Sequence, residues 1–330
     1  MRMRSSLAAL LATVALLGAC SDGTGSNTEV EPTMPVTPDV QNLASTMVSG
    51  VREFHVRAHV FQQKIATFPV QTAEVWGYNA STPGPTAISY EGETIRFVVQ
   101  NDLPVPTTVH FHGMHQPNED DGVAGVDQTP VPPGGSHTYE FTPGHAGFFA
   151  YHAHTSDATQ ELKGLEGVFV VLPREEPREQ RVDRDYLFTL QSFFFKQEGQ
   201  PVNPFPPGGE FNFHVMNGVT RDAASELPAR VGERVRIRFY NASQLMHAMH
   251  LHGADMVIVS QNGHRRPEAG QERVTTVDIG PGNFFEVEVV FDKPGKWIFH
   301  CHFPHHTTND MQDGPNGTPV GMSRVFDVQP

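Results

Sequence analysis

The sequence predicts an all-β protein made of two similar domains, and three observations support this prediction. The 330 residues include 30 Gly and 27 Pro, which favours many short strands joined by turns over long helices. Runs that alternate apolar and polar residues, as at 54–60 and 94–99, are typical of half-buried strands. The same order of motifs also occurs twice along the chain, which indicates two copies of one β-rich unit.

The first 20 residues are typical of an export signal. Basic residues precede an apolar run at 7–17, and small residues then lead to Cys20. Residues 17–20, Leu-Gly-Ala-Cys, resemble a bacterial lipobox, which implies a signal peptide that is removed and lipidation of Cys20. An ordinary signal peptide with an incidental cysteine is the alternative. The next residue is Ser21 rather than Asp, which resembles lipoproteins that are sent on to an outer membrane.

Residues 21–45 are rich in Ser, Gly, Thr, Pro and acidic residues and lack apolar periodicity, so we expect a flexible tether there. Together, the signal and the tether predict a protein on the periplasmic or cell-envelope side. Its only link to a membrane would be the N-terminal lipid.

The charge balance limits the kinds of partner. The formal net charge is −14, and removal of a leader carrying two arginines and no acid changes it to −14 − 2 = −16. Such a surface argues against nucleic acid or an anionic membrane as a partner. If Cys20 is lipidated, Cys301 is the one remaining thiol, and no disulfide can form within the chain.

The internal repeat places the domain boundary. Residues 91–113 match residues 231–253 with a constant offset of 253 − 113 = 140, and residues 147–154 match 295–302 with an offset of 302 − 154 = 148. A Pro-rich and charged stretch lies between the copies. We therefore predict domain 1 at residues 46–175 and domain 2 at residues 176–330.

Each copy contains two His-x-His pairs. Residues i and i+2 of a strand point to the same side, so both imidazoles of a pair can face one cavity. Imidazole suits copper among other metals, and four such pairs at corresponding places predict metal binding. The pairs are His110 and His112, His152 and His154, His250 and His252, and His300 and His302.

These segments resemble the four copper motifs of multicopper oxidases. The likeness rests on His-Phe-His-Gly at 110–113, His-Ala-His at 152–154, His-Ala-Met-His-Leu-His at 247–252, and His-Cys-His at 300–302 with His306 and Met311. The two-domain arrangement resembles the small laccase-like group with its blue copper in domain 2. The resemblance implies two cupredoxin-like Greek-key β-sandwich domains.

The resemblance also implies four copper ions per functional unit, with ligands at matching positions. The type 1 ligands would be His247, Cys301, His306 and, axially, Met311. The type 2 ligands would be His110 and His250. The type 3 pair would be held by His112, His152, His154, His252, His300 and His302. Met322 is a rival axial ligand, although the five-residue spacing from His306 favours Met311. Asp121 falls where relatives keep an acid near the type 2 copper, with a surface acidic turn as the alternative.

Domain 1 lacks the type 1 ligands. By the repeat offsets, His247, Cys301, His306 and Met311 correspond to Thr107, Ala153, Ala158 and Lys163. A single blue copper is therefore expected, in domain 2. In two-domain relatives the trinuclear cluster forms between neighbouring subunits, which implies a homotrimer.

The function that the resemblance implies is oxidation of a reducing substrate at type 1 copper and reduction of dioxygen to water at the trinuclear cluster. A phenol, an aromatic amine, Fe(II) or Mn(II) remain open as donors. Copper nitrite reductase is an alternative, but it would need a blue site in domain 1, where Ala153 stands. A copper-sequestering lipoprotein is a non-catalytic alternative, and it would not need Cys301 between two kinds of site.

Overall fold

The computed structural model describes residues 29–330, and almost all of its regular structure is β. The strands are β1 (Glu29–Val30), β2 (Ser45–Val48), β3 (Val51–Thr67), β4 (Val70–Tyr78), β5 (Gly84–Tyr90), β6 (Ile95–Asn101), β7 (Val109–His112), β8 (Ser136–Phe141), β9 (Gly147–Ala153), β10 (Glu166–Leu172), β11 (Glu176–Pro177), β12 (Arg184–Phe193), β13 (Phe213–Met216), β14 (Leu227–Arg230), β15 (Arg234–Asn241), β16 (His247–Leu251), β17 (Met256–Gln261), β18 (His264–Arg265), β19 (Glu272–Val274), β20 (Thr276–Ile279), β21 (Phe284–Val290), β22 (Gly295–Cys301) and β23 (Ser323–Gln329).

The helical segments are short. One turn of α-helix, α1, spans Asp157–Gln160, and 3-10 turns cover Asn118–Asp120, Glu161–Lys163, Arg178–Gln180, Pro207–Gly209, Arg221–Ala223, Glu268–Gly270, Pro304–Thr307 and Pro315–Gly317. Within residues 29–330, no helix has both the length and the apolar character needed to cross a bilayer.

Domain 1 is a sandwich of two sheets. One sheet has the order β2-β3-β6-β8 with β4 added on β3, and the other has the order β5-β10-β9-β7. Alternate residues of both sheets point inward, and Phe54, Phe97, Phe111 and Phe169 meet in the buried core. The long β3–β4 hairpin extends beyond this core towards domain 2.

Domain 2 repeats this framework. Its sheets have the orders β13-β12-β15-β21-β17-β18 and β14-β23-β22-β16-β20. Six strand pairings of domain 1 recur with the same direction: β3/β4, β3/β6, β6/β8, β5/β10, β9/β10 and β7/β9 correspond to β12/β13, β12/β15, β15/β21, β14/β23, β22/β23 and β16/β22. The predicted all-β fold of two duplicated sandwiches is confirmed.

Apolar contacts join the two halves. Ile65 and Val75 of the β3–β4 hairpin pack with Phe193 and Phe213 of domain 2 in one buried cluster. The tip of the same hairpin reaches the segment after β22, where the side-chain amide of Asn309 donates to the carbonyl of Phe68 at 2.7 Å. This contact joins domain 1 to the loop that follows β22.

The expected flexible tether at residues 21–45 is contradicted for residues 29–45. Strand β1 pairs with β11, the backbone amide of Val36 donates to the carbonyl of Asp185 at 2.8 Å, and that of Leu43 donates to Thr86 at 2.7 Å. Thr37 and Leu43 are buried. Residues from Glu29 onward therefore bind both domains, because their backbone groups find partners on strand edges. The expected signal, Cys20 and residues 21–28 lie outside the described residues.

Candidate metal centres

The four histidines of domain 1 form one group. Because β7 and β9 are antiparallel, His110 lies directly opposite His152. The ring centre of His110 is 5.3 Å from that of His152 and 5.2 Å from that of His154. His110, His112 and His152 each offer a ligand atom within 4.8 Å of the others. Together with His154, they line a cavity of about 470 Å³.

The four histidines of domain 2 form a matching group. The antiparallel pairing of β16 and β22 sets His250 opposite His300. The Nε2 atoms of His252 and His300 lie 3.2 Å apart, and the ring of His302 is 5.2 Å from that of His250. His252 and His302 are exposed. Within residues 29–330, no candidate ligand group combines histidines of the two domains.

The protein orients these rings through their Nδ1 atoms. Four of them contact a backbone carbonyl: His110 with Asp121 at 2.8 Å, His152 with Ala153 at 3.1 Å, His250 with Thr275 at 2.7 Å, and His300 with Cys301 at 2.8 Å. A ring that donates Nδ1–H keeps its Nε2 lone pair for a metal. The Nε2 of His152 is buried without a hydrogen-bond partner. Burial also lowers the pKa of His152 to about 3 and that of His112 to about 4, so both rings are neutral at pH 7.

A third group is buried inside domain 2. The Sγ of Cys301 lies 3.3 Å from His306 Nδ1 and 3.8 Å from His247 Nδ1, and the two nitrogens are 3.1 Å apart. All three residues are buried. The other ring nitrogen of His247 contacts the hydroxyl of Ser243 at 2.8 Å, which fixes the ring. One ion with bonds of about 2.0–2.3 Å to each atom accounts for this spacing.

The strand period separates this third group from the neighbouring histidines. Cys301 packs in the core of domain 2, whereas His300, one residue earlier, belongs to the group of domain 2 described above. Burial raises the pKa of the Cys301 thiol to about 11. Copper binding must therefore displace a proton from this thiol.

Comparisons with known proteins agree with this geometry. Multicopper oxidase domain models match residues 60–176 and 195–312. The chain belongs to the multicopper oxidase family. The solved structure of the multicopper oxidase mgLAC aligns with a TM-score of 0.75 and 29% identity, over 84% of this chain and 86% of that one. The blue copper oxidase from Nitrosomonas europaea also aligns with a TM-score of 0.75, at 26% identity and the same coverage.

The curated relatives of this multicopper oxidase are longer proteins. Laccase-2 of Cryptococcus neoformans var. grubii is 31% identical over 217 residues, which cover 57% of this chain but only 36% of that laccase. The chain therefore matches about a third of that relative's length.

The donor sets fit copper. A thiolate with two imidazoles in a buried trigonal set is typical of blue copper, and groups of neutral imidazoles also suit this metal. The multicopper oxidase therefore offers one Cys-containing site in domain 2 and one histidine group in each domain.

Met322 replaces Met311 as the candidate axial ligand. Met311 is 70% exposed, and its φ of +62° lies in the left-handed region, whereas Met322 is fully buried in the same core cluster as Cys301. The backbone carbonyl of Met322 accepts a hydrogen bond from Cys301 N–H at 3.1 Å. The backbone N–H of Met322 donates to the carbonyl of His306 at 2.8 Å. The five-residue spacing from His306 favours Met311, whereas burial beside Cys301 in the structure favours Met322.

Asp121 lies beside His110. Its carboxylate is 3.3 Å from His110 Nδ1 and accepts from the Gln116 amide at 2.6 Å. Sequence reasoning missed a second acid, Glu161, which lines the domain 1 cavity with its carboxylate 3.7 Å from His152 Nδ1. The hydroxyl of Tyr240, from domain 2, donates to Glu161 at 3.3 Å. Nothing in the local sequence of Glu161 pointed to this contact between domains.

Sequence reasoning also assigned no role to His214. This ring is buried and stacks on the candidate metal ligand His306 with 3.8 Å between ring centres. His305 covers another side of His306, with ring centres 4.4 Å apart and planes at 78°. The sequence repeat does not extend to His214, and only strand pairing shows that Ser192 and His214 take the register position of Val60 and Trp76 in domain 1.

Proposed function

We propose that this chain is a laccase-like, copper-dependent oxidase that takes electrons from a reducing substrate and delivers them to dioxygen. The observation that carries the proposal is the buried set His247, Cys301 and His306, which lies one residue away from His300 and His302. A sequestering protein needs no such link between two kinds of centre. Bound copper would supply one-electron oxidation of the donor and four-electron reduction of dioxygen to water.

The residues around each centre have separate tasks. His247, Cys301, His306 and Met322 would hold type 1 copper in the dry core of domain 2. His110 and His250 would hold type 2 copper, while the type 3 pair would be held by His112, His152, His154, His252, His300 and His302. The short covalent path from Cys301 to its two neighbours connects the centres. Asp121 is positioned to hold or supply a proton beside His110.

We further propose that the oxygen-reducing cluster is completed between chains of a homotrimer, with four coppers per functional unit. Each chain presents two separate groups of four histidines, and a cluster that needs eight must join two groups. The exposure of His252 and His302 supports this arrangement, since a neighbouring chain would cover them. A ring-closed assembly gives every domain 1 group a domain 2 partner.

Oxygen uptake by copper-loaded protein tests the oxidase proposal. We expect consumption of dioxygen with a phenol, an aromatic amine, Fe(II) or Mn(II), and no reduction of nitrite. Nitrite reduction without oxygen uptake would favour the nitrite reductase alternative, although Ala153 occupies the cysteine position in domain 1. Sedimentation should show trimers, and metal analysis should show four coppers per chain. An active monomer would contradict the shared cluster.

The N-terminus supports export and a lipid anchor at Cys20 as a further part of the proposal, with location on the periplasmic or cell-envelope side. Globomycin blocks processing of lipobox precursors, so treated cells should accumulate an unprocessed form. A Cys20→Ala chain is the matched control and should be insensitive to the drug. Normal processing of the natural sequence under globomycin would refute the anchor.

A further inference from the structure

The type 1 ligand His306 is covered by two other imidazoles. Its exposed fraction is 2%, so a donor in solvent has almost no access to it. The ring of His214 lies parallel to it at 3.8 Å, and the ring of His305 stands nearly perpendicular at 4.4 Å. An electron that enters at this face passes one of these rings first.

His214 and His305 also face each other in a way that suits a shared ion. A ligand atom of each lies within 4.8 Å of the other, and the ring planes cross at 82°. An ion with bonds of about 2.1 Å needs the two nitrogens within about 4.2 Å, a movement of no more than about 0.6 Å. Partly exposed His305 supplies a route from the surface.

One nitrogen of His214 is available for such an ion. Its Nδ1 contacts the hydroxyl of Ser192 at 2.9 Å, while its Nε2 is buried with no hydrogen-bond partner. A buried polar atom without a partner is costly unless something binds it. His306 is not needed as a third ligand, because its Nδ1 faces Cys301 and its ring is parallel to that of His214.

We propose that His214 and His305 form a docking site for a transition-metal ion that serves as electron donor, either cuprous or ferrous. This inference rests on the proposed oxidase function. Imidazole suits both metals, and the net charge of −14 attracts cations. Each docked ion would give up one electron by way of the ring of His306, a residue that would hold type 1 copper, and would leave with one more positive charge. Four ions, four solvent protons and one dioxygen then yield two waters.

The corresponding place in domain 1 supports a functional role. Strand pairing equates Ser192 and His214 with Val60 and Trp76, so the imidazole occurs only in the domain that contains Cys301. Trp76 fills its position by packing beneath the ammonium group of Lys163 at 4.4 Å from the ring centre. An ordinary core residue therefore satisfies this fold at the same position.

A binding experiment tests the site without turnover. Zn(II), which is not oxidised, is titrated into the copper-loaded full chain by calorimetry. The wild type should bind one more equivalent of Zn(II) than either the His305→Gln or the His214→Phe variant. The phenylalanine keeps an aromatic ring stacked on His306. His264→Gln, a change on an exposed strand elsewhere in domain 2, should bind like the wild type. Retained blue absorption in all variants shows that the type 1 site is intact.

A kinetic experiment tests the donor role. The ratio of kcat/KM for Fe(II) or Cu(I) to that for a phenol should fall about tenfold or more in His305→Gln and His214→Phe. Equal zinc stoichiometry and an unchanged ratio would overturn the proposal. Zinc uptake without a changed ratio would also overturn it, since the ion would then bind without donating. Absence of oxygen uptake with every donor would refute the oxidase function, while the zinc titration would still decide the site.

Discussion

The two domains share one strand framework but fill the corresponding buried pocket with different chemistry. In domain 2 the pocket holds His247, Cys301 and His306. In domain 1 the hydroxyl of Thr107 donates to the side-chain oxygen of Gln160 at 2.7 Å, and the Gln160 amide donates to a backbone carbonyl at 2.9 Å. Gln160 is almost fully buried. The fold requires a satisfied pocket, and either an amide or a set of metal ligands meets that requirement.

A second difference lies in the loop that closes the pocket. The same backbone hydrogen bond occurs in both domains. The N–H of Cys301 donates to the carbonyl of Met322, and the N–H of Ala153 donates to the carbonyl of Leu165. The donors are offset by 301 − 153 = 148 residues and the acceptors by 322 − 165 = 157. The segment between donor and acceptor is therefore 157 − 148 = 9 residues longer in domain 2. The extra loop carries Met311 to the surface and leaves Met322 in the core. The two domains therefore differ in loops and buried side chains, while six strand pairings keep the same direction.

The largest expected effect comes from removing the thiolate that domain 1 lacks. Cys301→Ser should abolish the blue absorption and reduce oxygen consumption to background, because the hydroxyl is a poor copper ligand. Metal analysis should show one copper lost and the histidine-bound coppers retained. Persistence of blue colour in this variant would place the type 1 site elsewhere.

The next effect concerns the acid beside the domain 1 histidines. Asp121→Asn should slow reoxidation of the reduced enzyme by dioxygen about 10- to 100-fold with copper content unchanged, because proton supply is impaired. Stopped-flow reoxidation measures this step separately from donor oxidation. Glu119→Gln changes an exposed acid in the same turn and should have no effect. Equal reoxidation rates for the two variants would mean that Asp121 is only a surface acid without a role in proton supply.

Acid should destabilise the copper-free protein. Burial lowers the folded-state pKa of His152 and His306 to about 3 and that of His112 to about 4, against 6.5 for the free side chain. Below pH 6.5 the unfolded chain binds protons that the folded chain does not, so stability falls as pH falls from about 6.5 towards 4. Urea midpoints at pH 7.5 and 5 measure the change, and equal midpoints would contradict it.

A smaller effect separates the two candidate axial methionines. Met322→Leu should raise the type 1 potential and alter the blue spectrum, because the thioether in the core is removed. Met311→Leu should leave both unchanged, since that side chain is exposed. Redox titration with parallel spectra compares the pair. A shift only in the Met311 variant would restore the assignment based on spacing.

The smallest effect is expected in the pocket of domain 1. Gln160→Ala removes the partner of Thr107 and should lower the free energy of unfolding by about 1–3 kcal/mol. Thermal denaturation measures the loss, and the blue absorption of domain 2 should not change. Gln329→Ala, at an exposed position, is the control. No difference between these variants would mean that Thr107 finds another partner.

Much of the site was predictable from the sequence because its signals are local. The i and i+2 spacing of each His-x-His pair sets both rings on one side of a strand, and Cys301 is the alternate residue between two of them. The offsets of the repeat also predicted two similar β-rich domains and a single thiolate site, in domain 2. These inferences need only strand periodicity and the order of motifs.

The axial ligand, the true extent of the tether and the role of His214 depended on tertiary structure. The segment from Cys301 to Met322 is nine residues longer than its counterpart in domain 1, and only core packing makes Met322 a candidate axial ligand. Residues 29–45 lack apolar periodicity, yet the edges of other strands pair with their backbone.

The sequence by itself determined the copper chemistry of this chain, because it set which donor atoms lie on each strand face. Tertiary structure decided which distant residues meet those donors. His214 is 92 residues from His306 along the chain (306 − 214 = 92), and only the packing of β13 against the loop after β22 brings their rings together. Contacts between strands depend on sheet order and loop length, which single-strand periodicity does not encode.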